Sequence, residues 1–205
     1  MLRWFIIGGL VALATVGGCL VRNSLSPADV SANVREPNQP FDVHWTDKPL
    51  AEMSKPGIKV CKTTGIMTVF DGKKPVKSYH VISGANSGDK EAEGDKRTPE
   101  GVFRVVVRNP KSKYVLSLGL DYPNAEDAVR GLKAKLITPT QYKAIVEAIS
   151  RVKQPPWNTS LGGEIMIHGA KGDRTGTLGC ISMADDAVRE LYPRIGLGVE
   201  VEILP

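Results

Sequence analysis

The sequence predicts a mainly β domain with a helical hairpin insert and a short helix after Cys180. Three observations predict it. From residue 57 to 120 the chain runs in short segments rich in β-branched residues, separated by glycine, aspartate and proline turns. Between 124 and 152 the apolar spacing changes to the helical period, with a capping signal at each start. From 164 to 183 an apolar run ends in His168, a polar glycine-bearing loop follows, and the chain returns through Cys180.

Residues 1–18 read as a secretory signal: Arg3 supplies a short positive region, and Trp4 to Val16 is apolar but short for a bilayer span. Val16-Gly17-Gly18-Cys19 resembles a bacterial lipobox, whose cysteine is acylated and becomes the first residue of the mature chain. Several acyl chains on Cys19 would hold the protein on a membrane surface. Leu20, standing where an Asp would retain such a lipoprotein, favours the outer membrane, so the expected location is the periplasm with a lipid anchor. Loss of residues 1–18 removes one Arg and no acid, taking the formal charge from +5 to +4. A mildly basic exported chain suits the anionic cell envelope rather than nucleic acid.

Residues 19–56 carry five prolines and little apolar periodicity, and read as a flexible tether behind the lipidated cysteine. Such a coil spans roughly 30 to 40 Å end to end, enough for an anchored domain to reach a nearby polymer. Residues 57–205 are long enough for one domain with its own core.

That domain opens with IKVCKTT, IMTVF and VKSYHVISG, divided by Gly65 and by the turn Asp71 to Pro75, which reads as a meander. GVFRVVVRN and YVLSLGL continue it. Cys61 shares parity with Lys59 and Thr63, which places it on the less buried face as a strand cysteine without a role. Asn124 then caps a helix with Ala125, Ala128, Val129 and Leu132 on one face. Thr138-Pro139-Thr140-Gln141 is a capping box with proline at the first helical position, leading into the stripe Tyr142, Ile145, Val146, Ile149 and Val152. The hairpin these two helices form lies directly before the His168 strand, which makes it a candidate wall or lid of a site there.

Glu164 to Ile167 forms a strand ending at His168, and Thr177 to Met183 leads back to a helix beginning near Asp185. With Cys19 assigned to lipid, only Cys61 and Cys180 remain, too few for a disulfide framework. A thiol left free in an oxidising compartment asks for a chemical use. The two ends of one β excursion easily lie side by side, so His168 is placed to take the proton of Cys180, and such pairing lowers a thiol pKa. Gly179 leaves room for a substrate carbonyl, and the N–H groups of Gly179 and Cys180 are candidate oxyanion donors. His44, His80 and His168 are scattered without ligand spacing, so no metal site is expected.

His168-Gly169, a short loop, then Thr177-Leu178-Gly179-Cys180-Ile181 resembles the catalytic signature of the L,D-transpeptidases of the YkuD (ErfK/YbiS/YcfS/YnhG) family. Gly94-Asp95-Lys96-Arg97-Thr98-Pro99-Glu100-Gly101 resembles a turn block of the same domain, and the resemblance runs over about residues 57–204. It implies a β-sandwich-like fold acting on peptidoglycan stem peptides. It makes Cys180 the nucleophile, His168 the general base, and Gly169 the residue whose carbonyl orients the imidazole. The cysteine would attack the carbonyl at the L-centre of meso-diaminopimelate and hold the acyl group as a thioester until an amine resolves it. No cofactor is implied, since thiolate, base and oxyanion donors supply the mechanism.

The sequence also departs from the family pattern. Thr177, Leu178 and Ser182 stand where many members carry Ser, His and, after the cysteine, Arg or Asn. With LSLGLDYPN at 116–124, this is closer to the YafK (DpaA) branch, which makes hydrolytic release of a wall-linked lipoprotein the rival activity. Sortases carry their histidine far upstream and an arginine after the cysteine, unlike the twelve residues from His168 to Cys180. A wall-binding module without catalysis is the non-enzyme alternative, and it does not call for both His168 and Cys180.

Overall fold

Period-two burial builds most of the molecule. In the computed structural model, which describes residues 33–34, 38–169 and 175–205, the strands are β1 (Asn33–Val34), β2 (Val43–His44), β3 (Pro56–Cys61), β4 (Ile66–Asp71), β5 (Lys74–Ile82), β6 (Gly101–Asn109), β7 (Ser117–Leu120), β8 (Met166–Gly169), β9 (Ile181–Met183) and β10 (Glu200–Leu204). The helices are α1 (Ala125–Lys133), α2 (Pro139–Ser150) and α3 (Asp185–Leu191). The signal segment, Cys19 and the first part of the expected tether lie outside the described residues.

Eight strands close into a barrel in the order β10, β3, β4, β5, β9, β8, β7, β6. This corrects the expected β-sandwich. The reason lies in the two nine-residue strands. β5 pairs with β4 along most of its length and with β9 at Val81 and Ile82. β6 pairs with β10 over Gly101 to Arg104 and with β7 from Val105 onward, with a register shift between Val105 and Val107. Each long strand thus bends from one sheet into the other, and the two sheets of a sandwich become one wall. β10, which the sequence reading did not single out, closes the ring by pairing with both β3 and β6. The interior is filled by Ile58, Val60, Met67, Val69, Phe103 and their buried neighbours.

The parity assigned to Cys61 is the parity of Lys59, yet Cys61 is buried. It sits outside the barrel in a second cluster with Phe41 and Phe70, and its thiol donates to the Pro205 carbonyl at 3.1 Å. Phe41 comes from the segment expected to be tether. Residues 38–50 are seated on the barrel: Phe41, Val43 and Leu50 are buried, the His44 N–H donates to Ser78 Oγ (2.8 Å), and the Leu50 N–H donates to Glu190 Oε1 (2.6 Å). The packed unit therefore starts well before residue 57.

Both capping boxes form. Asn124 Oδ1 accepts from the N–H groups of Glu126 and Asp127 while Asp127 caps Asn124 in return, and Thr138 and Gln141 do the same for α2. The α1 stripe is rotated from the expected one: Ala128 and Gly131 are buried, whereas Val129 is exposed. Ala128, Ile137, Ile145 and Leu161 give the hairpin a small core of its own.

Candidate active site

β8 decides where His168 points. Ile167 is fully buried in the barrel, so His168, its neighbour along the strand, faces outward. There the imidazole stacks on Tyr114, with ring centroids 4.4 Å apart and planes 23° from parallel. Nδ1 lies 2.6 Å from the Gly169 carbonyl oxygen. A carbonyl only accepts, so Nδ1 carries the proton and Nε2 keeps its lone pair for a proton from a nucleophile. Gly169 is required by close approach: a Cβ there would stand 2.6 Å from the Tyr114 oxygen and 2.8 Å from Asp185 Oδ1.

Tyr114 is itself held by a strained turn. The Leu116 N–H donates back to the Tyr114 carbonyl at 2.9 Å, and the central residue Val115 has φ +74°. This is a γ-turn of the rare kind, at a β-branched residue that disfavours positive φ. The same Tyr114 oxygen also accepts from the Gly169 N–H at 3.1 Å, so the turn is tied to the base.

Cys180 lies one residue before β9, the parallel neighbour of β8. β8 and β9 are paired with Ile167 opposite Ile181 and His168 opposite Ser182, which sets Cys180 just below the level of the histidine. His168 and Cys180 line one cavity of about 770 Å³, together with residues of 109–117, 163–166 and 176–182. The residues lining it do not come from α1 or α2, so the hairpin is neither its wall nor, in this conformation, its lid.

The turn before Cys180 is braced from both sides. Thr177 Oγ1 donates to the Cys180 carbonyl (2.6 Å) and accepts from the Gly179 N–H (3.0 Å). Thr98 Oγ1 donates to the Gly179 carbonyl (2.8 Å) and accepts from the Gly84 N–H (2.8 Å). Gly179 has φ +134°, and a Cβ would meet the Arg97 carbonyl at 2.8 Å. The GDKRTPEG block thus buttresses the turn before Cys180. Within the block, burial opposes ionisation of Asp95, but the Lys90 ammonium and three backbone N–H groups hold its carboxyl at about 2. Of the two expected oxyanion donors, the Gly179 N–H is already engaged by Thr177.

The electrostatics point to a neutral resting pair. Burial pushes the Cys180 thiol up, helped by the charge of Glu164, against a backbone hydrogen bond from Met166 and the charge of Lys90. The thiol donates to the Glu164 carbonyl at 3.4 Å. Burial likewise pushes His168 down, against its bond to Gly169. Both shifts favour the uncharged forms at neutral pH, the opposite direction from the lowered thiol pKa expected from ion pairing. Tyr114, Lys113, Ser117 and Glu164 also line the site and escaped the sequence reading. No local pattern marks them, because they reach the cavity through pairing and turns. Among the described residues no group of three or more His, Cys, Asp or Glu converges to hold a metal ion.

The YkuD family model, described as the L,D-transpeptidase catalytic domain, matches residues 55–203. The chain belongs to the YkuD L,D-transpeptidase family. No curated protein matches it. Among solved structures it is similar to the helical cell shape determining protein Pgp2 of Campylobacter jejuni, with 25% identity, TM-score 0.51, and coverage of 77% of this chain and 51% of that one. It is also similar to Bd1075 of Bdellovibrio bacteriovorus (20% identity, TM-score 0.49, 76% of this chain and 51% of that one). A third is an L,D-transpeptidase of Xylanimonas cellulosilytica (15% identity, TM-score 0.44, 76% and 63%). The chain thus spans about half the length of Pgp2. The family acts on peptidoglycan stem peptides.

Proposed function

We propose that the protein is a cysteine-dependent L,D-transpeptidase acting on peptidoglycan stem peptides that contain meso-diaminopimelate. The observation that carries this reading is that Cys180, one residue before β9, and His168, on the adjacent parallel strand β8, line one cavity, with Nδ1 of the imidazole bound to the Gly169 carbonyl. Nε2 accepts the thiol proton as sulfur attacks the carbonyl at the diaminopimelate L-centre. The Cys180 N–H faces the developing oxyanion, a contact of a kind worth about 2.7 to 4 kcal/mol in the transition state. The leaving amine takes the proton from the imidazolium, and an amine of a second stem peptide resolves the thioester. Export and acylation at Cys19 belong to the same reading, since they put the domain beside its polymer.

Hydrolysis is the second reading, favoured by Leu178, which is 77% exposed at the cavity rim and offers no polar group to an incoming amine. Water would then release a lipoprotein linked to diaminopimelate, as in the YafK branch. The test is incubation with tetrapeptide muropeptides and, separately, with lipoprotein-bearing sacculi, with products separated by mass. Cross-linked dimers or exchange of the terminal residue are expected. Free lipoprotein without a new amide bond would move the assignment to the hydrolase, and products unchanged by Cys180→Ala or His168→Ala would overturn both readings.

A further inference from the structure

The catalytic cavity is charged unevenly. Among the described residues that line it, Lys113 carries a positive charge and Glu164 a negative one, and they come from different segments, the β6–β7 connection and the approach to β8. Lys113 belongs to the β6–β7 connection, where its ammonium lies 5.1 Å from the centroid of the Tyr114 ring that stacks on His168. Cation–π contact with that ring holds the charge beside the base. Its neighbours there are Asn109 and Ser112, each already accepting a backbone N–H, from Lys111 (2.9 Å) and from Tyr114 (3.1 Å). The Asn109 amide N–H groups and the Ser112 hydroxyl can still donate, and beside Lys113 they suit an anion. Glu164 stands next to the nucleophile: its φ of +55° turns its own carbonyl onto the Cys180 thiol at 3.4 Å, while its carboxylate stays exposed in the cavity. Positive φ at a non-glycine residue costs of order 1 kcal/mol or more and persists where the surroundings enforce it.

We propose that Lys113 and Glu164 read opposite charges on the acyl donor, Lys113 its terminal carboxylate and Glu164 the side-chain ammonium of its diaminopimelate. The inference rests on the stem-peptide reading above and assigns the residues that would discriminate within that class. A donor of this kind carries both charges on either side of the bond to be broken, matching a cavity whose two walls carry the opposite ones. Pairing has a second consequence. The Glu164 charge is among the causes that hold the Cys180 thiol up, so an ammonium bound to Glu164 eases ionisation of the nucleophile when the donor is in place.

Binding to the full-length Cys180→Ala protein tests this without turnover. Four peptides are titrated: the diaminopimelate tetrapeptide, its C-terminal carboxamide, the same peptide lacking the side-chain amine, and one lacking both charges. Lys113→Gln is expected to weaken binding of the tetrapeptide roughly tenfold and to leave the carboxamide unchanged, with Lys113→Arg restoring affinity. Glu164→Gln is expected to weaken peptides bearing the amine by a similar factor and to leave the deaminated ones unchanged. Equal losses for both members of a pair, or no loss at all, would overturn the assignment. Charge-selective binding in a protein whose wild type turns over none of these peptides would support the charge reading and count against the transpeptidase.

Discussion

His168 and Cys180 show how burial sets the starting state of a dyad. Desolvation disfavours the charged form of each, pushing the imidazole down and the thiol up, so the uncharged pair prevails near neutral pH. Two consequences follow at this scale. Because the base works only when unprotonated and its pKa lies below the ordinary histidine value, kcat/KM should hold as pH falls below about 6.5 and decline only at lower pH. Alkylation of the free enzyme by iodoacetamide should titrate with an apparent pKa above that of an ordinary cysteine, near 8.5, because the thiolate is the reactive form. An alkylation midpoint well below neutrality would show a preformed thiolate–imidazolium pair instead. Tyr114, stacked on the imidazole, was invisible in the sequence because its role depends on a strained turn at Val115 rather than on any spacing from His168.

Secondary-structure elements were legible where their signals are local. Asn124 caps α1 and Thr138 closes its capping box as read, because a cap needs only residues two or three apart, while the reciprocal contact from Asp127 was not read. The β segments from 57 to 120 were likewise legible from alternation, whereas β10 was missed: it gains its identity from pairing with β3 and β6, which lie far away in sequence. The Thr98 block was recognised as a turn, but its work is tertiary. Thr98 Oγ1 links Gly84 on one side to the carbonyl of Gly179 on the other, and Thr98 is 1% exposed. Thr98→Val keeps the shape and leaves a buried N–H and carbonyl unpaired, which costs about 1 to 3 kcal/mol per group. Expected are a lowered Tm and a fall in kcat, since the turn that aims Cys180 loses its brace; Thr98→Ser should recover both. Unchanged kcat in Thr98→Val would show that the brace stabilises the fold without positioning the nucleophile.

Over the whole molecule, the feature that sequence reading placed least well is the boundary between domain and tether. Five prolines and sparse apolar residues hid the fact that Phe41, Val43 and Leu50 each fill a place on the barrel. Glu190 ties this segment down by accepting from the Leu50 N–H, the Lys77 ammonium and the Tyr79 hydroxyl, joining the segment to β5 and α3. Mass spectrometry of the native N-terminus, expected to find an acylated Cys19, checks the proposed anchor. Truncation checks the boundary. Removal of residues 1–32 leaves β1 and the buried side chains named here in place and should leave Tm within about 2 °C of the longer chain. Removal of residues 1–55 uncovers Phe70, Cys61 and the Glu190 site. Burial of a large apolar side chain contributes about 1.5 to 3 kcal/mol, and a domain of this size loses about 2 to 4 °C per kcal/mol. After the entropy regained by the freed chain is set against that burial, a fall of roughly 10 °C or more remains the expected result. Equal melting temperatures for the two truncations would return residues 38–55 to the tether.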